Sequence, residues 1–207
     1  EDWSIILRAY LQFGNTSYPV TFTTRSGTRL QLDSFDELVT AWVVFCRDEY
    51  SIPTDARVVL DIGANYGAFS LLAAQMAPTS AIYSLEPFPV TFAKLQANIE
   101  SNGLTERVTC LQMAVSPQTG SAPMNSDPEI GSHLRTLASV SPEVTPSNNW
   151  VDVPTISLSE LIEAVIRKEG VEFIDIVKMD IEGGEHDTLA VVRPELLARV
   201  LRWQMEY

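Results

Sequence analysis

The stretch Val58 to Ala74, VVLDIGANYGAFSLLAA, restricts what this chain can fold into more than any other. Val58 to Leu60 is the β-branched and apolar run of a strand buried on both faces, and it closes on a carboxylate, Asp61. Gly63 and Gly67 bracket a tight turn, after which Phe69, Leu71, Leu72 and Met76 follow at helical spacing. Strand, turn and helix in that order form the unit of a parallel α/β sheet. The turn lies at the carboxyl edge, where open sheets bind ligands. Glycines there let the backbone approach a ligand closely, although such turns also occur in α/β domains without one.

The spacing departs from the dinucleotide fingerprint, which places glycines at the first, third and sixth positions of the turn. Counting from Gly63, the third position is Asn65 and the sixth is Ala68, with the second glycine displaced to Gly67. A pyrophosphate cradle is not indicated. Asp61 at the strand end would repel a pyrophosphate but suits a cofactor carrying an ammonium group, which favours S-adenosylmethionine over NAD.

The 207 residues are enough for one domain with a single core. A formal charge of −13 counts against a nucleic-acid partner, since duplex binding needs a basic face to displace counterions. No apolar run approaches the ~20 residues of a membrane span, and the N-terminus lacks the regions of a signal peptide. The expectation is a soluble, cytoplasmic protein. Cys46 and Cys110 fall in a predicted helix and a predicted strand, without zinc-ligand spacing, and read as buried free thiols.

In chain order, residues 1–13 carry Trp3, Ile6, Leu7, Tyr10, Leu11 and Phe13 in a helical pattern. Tyr18 to Thr24 and Thr28 to Leu32 read as strands of a hairpin turning at Arg25-Ser26-Gly27. Ser34 and Glu37 make a capping box for a helix through Cys46. Residues 1–53 therefore read as an accessory layer, and 54–207 as the main fold. Ala81 to Leu85 is a second strand ending on Glu86, followed by a helix with a Phe92, Leu95, Ile99 stripe that stops at Asn102-Gly103. Glu86 lies 25 residues after Asp61, near the place from which an acid holds ribose hydroxyls; otherwise it is a solvated charge at a helix N-terminus. Arg107 to Ala114 is a third strand, with Gln112 and Ala114 placed to lie over an adenine. Ser116 to Trp150 is proline- and serine-rich without periodicity and reads as a long connection, either a lid or disordered. Its His133 reads as a solvent-exposed loop residue or a base.

Val151 to Ser157 is an alternating strand whose Pro154 places it at a sheet edge, and Ser157 with Glu160 caps a helix ending at Gly170. Then comes FIDIVKMDIEGGE, Phe173 to Glu185. Lys178, Asp180 and Glu182 alternate with Met179 and Ile181 and would share one face if the strand persists. Three readings stay open. Asp180 or Glu182 orients or deprotonates an acceptor hydroxyl with Lys178 tuning its neighbour; Asp180, Glu182, Glu185 and His186 ligate a divalent cation; or the group is a structural ion pair beside a helix start. Val200 to Glu206 is a last strand.

Taken together, these stretches resemble the FkbM-type family of S-adenosylmethionine-dependent methyltransferases from about Tyr18 to Tyr207: TTRSGTRL, VVLDIGANYG, YSLEPFP, VPTISLSELI and, most specifically, IVKMDIEGGE. The resemblance implies a Rossmann-like class I methyltransferase sheet flanked by helices. It also implies methyl transfer to a hydroxyl of a sugar, polyketide or related small molecule. Carried across by motif, Asp61, Gly63, Asn65, Gly67 and Glu86 would contact the cofactor, and Lys178, Asp180 and Glu182 would border the reaction. Sheets of this class add an antiparallel hairpin after the fifth strand, and the sequence reads as lacking it, which would leave a sheet edge open. A nicotinamide oxidoreductase and a non-catalytic binding domain remain as alternatives.

Overall fold

The computed structural model describes residues 17–125 and 150–205, together with 7, 8, 10, 11 and 13. Most of the N-terminal helix expected over 1–13, and His133 with residues 126–149, lie outside the described residues. Val20–Thr23 (β1) and Arg29–Leu32 (β2) pair antiparallel, and Phe35–Cys46 (α1) follows. Ser34 caps α1 by accepting from the Glu37 N–H at 3.2 Å. The chain then runs Val58–Ile62 (β3), Ala68–Met76 (α2), Ala81–Leu85 (β4), Pro89–Ser101 (α3) and Val108–Leu111 (β5). After these come Ala114–Ser116 (β6), Gly120–Asn125 (β7), Trp150–Ser157 (β8), Leu158–Glu169 (α4), Ile176–Met179 (β9), Glu185–Ala190 (α5), Pro194–Leu197 (α6) and Trp203–Met205 (β10).

The main sheet has the order β10-β9-β3-β4-β5, with every neighbour parallel. From β3 the chain steps outward through β4 to β5, then returns to the other side of β3 for β9 and β10. The direction of winding reverses between β3 and β9, which opens a crevice at their carboxyl ends. β3 is buried along its whole length because both faces are covered. Val59, Ile82, Val108 and Ile176 point to one face and join a core with Leu30, Leu32, Leu38, Phe69 and Leu95. Val58, Leu60, Ile62, Tyr83, Leu85 and Val177 point to the other, against Leu161, Ile162, Val165 and Leu196. The N-terminal hairpin and α1 are thus part of the same apolar layer as α2 and α3.

Four expectations are corrected by the tertiary structure. Arg107 to Ala114 is not one strand: the chain leaves the main sheet after Leu111, and β6 pairs in parallel with Thr155, Ile156 and Ser157 of β8. The connection after Ser116 is not wholly irregular, because β7 runs antiparallel to β8 and completes a second sheet, β6-β8-β7. β8 is consequently the middle strand in spite of Pro154. The edge condition for proline is met locally: β6 pairs only from Thr155 onward, so at Pro154 the strand has a neighbour on one side alone. Further on, β9 stops at Met179 and Glu182 takes a left-handed φ of 57°, so Lys178, Asp180 and Glu182 do not share a strand face.

Candidate active site

The crevice is built around the turn after β3. Gly63 and Ala64 both donate to the Leu85 carbonyl, at 3.0 and 2.8 Å, which binds the turn to the end of β4. Gly63 has a φ of 74°, and a Cβ there would lie 1.8 Å from the Asp180 carbonyl oxygen. That position is glycine because two backbones cross at it. Gly67 begins α2 at a φ of 93°, where a Cβ would meet Leu95 of α3 at 2.7 Å. Asn65 between them is also left-handed, at 50°, a conformation that asparagine tolerates better than most residues.

Glu86, just past β4, accepts from the Asn65 N–H at 3.0 Å on one oxygen and from the Phe88 N–H at 2.9 Å on the other. It is 7% exposed. Burial pushes its carboxyl up to about 7, against the pull of those two N–H groups and of Lys178. Each oxygen has capacity for one more donor.

On the other side of β3, Lys178 sits opposite Asp61 in register and is almost wholly buried. Its Nζ donates to the Gly63 carbonyl at 2.8 Å and lies 3.5 Å from both Asp61 Oδ1 and Asp180 Oδ2. Burial opposes the charge on Lys178, but Asp61 and Asp180 outweigh it and hold the amine above the usual lysine value. Burial likewise raises Asp61, with Lys178 and the 2.6 Å bond from Ser70 Oγ pulling it partly back. Asp180 retains an accessible side chain, and its N–H donates to the Ile62 carbonyl at 3.1 Å.

These elements enclose a cleft of about 960 Å³, counting its open mouth. Of the residues singled out from sequence, Gly63, Asn65, Glu86, Ala114, Asp180 and Glu182 line it. Asp61, Gly67, Gln112 and Lys178 do not: Asp61 is fully buried behind the turn, and Gln112 is exposed where the chain kinks out of the sheet. Met113, next to Gln112, lines the cleft instead, with Leu85, Phe88, Val115 and Met124. Asp187 and Thr188 of α5 also reach the wall. The sequence does not single them out, because their place on the wall depends on how α5 packs over β6. Glu185 is engaged by the N–H groups of Ile181 and Gly183, at 2.7 and 3.0 Å, and His186 stands in solvent beside Asp187. Among the described residues no three His, Cys, Asp or Glu converge as metal ligands.

Residues 61–206 match the model of the methyltransferase FkbM domain. The chain belongs to that family. Its members are S-adenosylmethionine-dependent methyltransferases. Methyltransferase sdnD of Sordaria araneosa is 27% identical over 72% of this chain and 65% of its own length. The 31-O-demethyl-FK506 methyltransferase FkbM of Streptomyces tacrolimicus is 30% identical over 65% of this chain and 59% of its own. The 2-O-methyltransferase NoeI of Sinorhizobium fredii is 27% identical over 64% and 56%. The chain therefore spans about three-fifths of the length of these relatives.

The FkbM-domain cleft fits the family's cofactor. Glu86 offers a free acceptor position on each oxygen, the pair that a vicinal ribose diol requires, and the apolar wall from Leu85 to Val115 suits an adenine. No helix of the described residues is long and apolar enough to cross a membrane.

Proposed function

We propose that this protein transfers the methyl group of S-adenosylmethionine to a hydroxyl oxygen of a small molecule, a sugar, polyketide or related product. The cofactor supplies a methyl bonded to a sulfonium, which a correctly placed oxygen attacks directly. Asn65 and Glu86 hold the nucleoside, and Gly63 keeps the turn close to it. Asp180 orients the acceptor hydroxyl and accepts its proton, Glu182 borders the same wall, and Lys178, 3.5 Å away, holds the Asp180 carboxylate in place. Most of the acceleration then comes from holding the oxygen in line with the bond to be broken. Residues 1–53 act as an accessory layer on the 54–207 core.

The observation that carries this reading is Asp180 itself, an accessible carboxylate on the cleft wall whose counter-ion is a buried lysine. Support for an oxygen acceptor comes from the names of two relatives, which specify 31-O and 2-O positions. The test titrates S-adenosylmethionine and S-adenosylhomocysteine by calorimetry with NADH as control, then screens hydroxyl acceptors with Asp180→Asn alongside. Binding of both adenosyl compounds without NADH, and turnover lowered 10²-fold or more in Asp180→Asn at unchanged cofactor affinity, is expected. Full turnover in that variant removes Asp180 from its role, and a folded protein that binds neither compound is a non-catalytic domain.

A further inference from the structure

We propose that the N-terminal layer forms part of the cofactor site: Tyr66 and Asn98 are positioning residues that tie the turn after β3 to β2 and α1, so docking of the layer and binding in the cleft are linked. This inference rests on the nucleoside contacts proposed above for Asn65 and Glu86.

The Gly67 N–H closes the turn on the Ala64 carbonyl at 2.8 Å, which makes Asn65 and Tyr66 its central pair. Asn65 is left-handed and lines the cleft, where its N–H meets Glu86. Tyr66 is fully buried and packs in the core layer that holds Leu30, Leu32 and Leu38 of β2 and α1. Its hydroxyl donates to the Glu37 carbonyl in the first turn of α1 at 2.7 Å. Its own carbonyl accepts from Asn98 Nδ2 of α3 at 2.9 Å. The same Asn98 side chain accepts at Oδ1 from the Gln31 N–H of β2 at 3.2 Å. A single amide, 3% exposed, therefore bridges the layer and the turn.

Lys94 lies one turn before Asn98 on the same face of α3. It pairs with Asp33 at 2.7 Å and with Glu37, and its Nζ stands 5.8 Å from the centroid of the Tyr66 ring. Tyr66 is thus held at its hydroxyl, its ring and its carbonyl by groups that also hold the layer. A left-handed residue other than glycine persists where its surroundings fix it. Glu86 fixes the Asn65 N–H from the cleft, and Tyr66 fixes the following residue from the layer. Loosening Tyr66 therefore loosens the bond that aims the carboxylate at the nucleoside. By linkage, a ligand that needs the ordered turn must in return hold the layer down.

The test titrates S-adenosylhomocysteine by calorimetry, well below the unfolding midpoint of each variant. Tyr66→Phe removes only the hydroxyl and should weaken the ligand about fivefold, and Asn98→Ala about tenfold. Tyr83 donates its hydroxyl to Glu169 on the other core face, so Tyr83→Phe removes a comparable bond away from the turn and should keep the parent affinity. That contrast separates positioning from stability alone. In the unmutated protein, S-adenosylhomocysteine should slow hydrogen exchange of the Gln31 amide about threefold or more, a readout that needs no variant to fold. Tyr66→Phe binding as tightly as Tyr83→Phe, or Gln31 exchange that ignores the ligand, overturns the inference. Glu86→Gln distinguishes it from the reading beneath it. If that variant weakens the ligand while Tyr66→Phe does not, only the positioning role falls; if it binds at the parent affinity, or the parent binds nothing, the nucleoside contact falls and the inference with it.

Discussion

Glu86 shows how one residue carries opposite pH dependences for folding and for binding. Its carboxyl is raised from 4.5 to about 7 in the folded protein, chiefly by burial. Between those values the folded state keeps a proton that the unfolded chain has already lost, so stability of the ligand-free protein falls as pH rises from about 4.5 to about 7. The loss is at most on the order of 3 kcal/mol. Ribose hydroxyls prefer the ionised carboxylate, so affinity for S-adenosylhomocysteine should rise over the upper part of the same window. Glu86→Gln should flatten both profiles and weaken the ligand at pH 8 by about tenfold or more, the effect of losing hydrogen bonds to a charged acceptor; urea melts and calorimetry across pH measure the two. Glu86 was legible in the sequence from its place at a strand end some 25 residues beyond Asp61. Asp61 has the same strand-end signature and lies outside the wall, since β3 is the innermost strand and its carboxylate turns toward Ser70 and Lys178. A strand-end acid can face the ligand or the layer beneath it, and sequence position does not separate the two.

At the scale of elements, β3 and β9 are joined at the crevice by a charge and by a missing side chain. Lys178 spans Asp61, Asp180 and the Gly63 carbonyl, and removing one partner of a buried ion pair leaves the other charge stranded. Lys178→Met should destabilise the protein by about 3–5 kcal/mol in denaturant unfolding, and adding Asp61→Asn should recover a good part of that. Recovery in the double variant distinguishes a stranded charge from simple loss of packing. Gly63→Ala forces a side chain into the Asp180 carbonyl at a left-handed φ. It should destabilise by about 3 kcal/mol or more and displace the Asp180 loop, seen as loss of turnover beyond that of a fold-matched control. The two glycines were evident in sequence as turn residues, but the reason Gly63 is required is a crossing with a loop over a hundred positions away. The second sheet was the least legible element. β6 is three residues long, too short to show a period, and the six residues of β7 begin on a glycine, carry a proline and do not alternate in burial.

For the whole molecule, ligand binding and stability are linked through the crevice, which draws on β3, β4, β6, β9 and α5 at once. S-adenosylhomocysteine at a hundred times its dissociation constant should stabilise the fold by about 2.7 kcal/mol. The melting temperature should then rise by several degrees for a domain of this size. Glu86→Gln should shrink that rise at equal ligand concentration, and its absence in the parent protein would deny the cleft its cofactor. The sequence alone determined the parallel α/β class, the innermost strand, the helix caps at Ser34 and Ser157, and the family, because burial on both faces, capping and motif spacing are local patterns repeated along one segment. Tertiary structure decided which carboxylates face the cleft, where the third strand breaks, and that Thr188 and Asp187 join Asp180 on one wall. Those outcomes depend on how β3, β9 and α5 pack together, and no single segment carries that information.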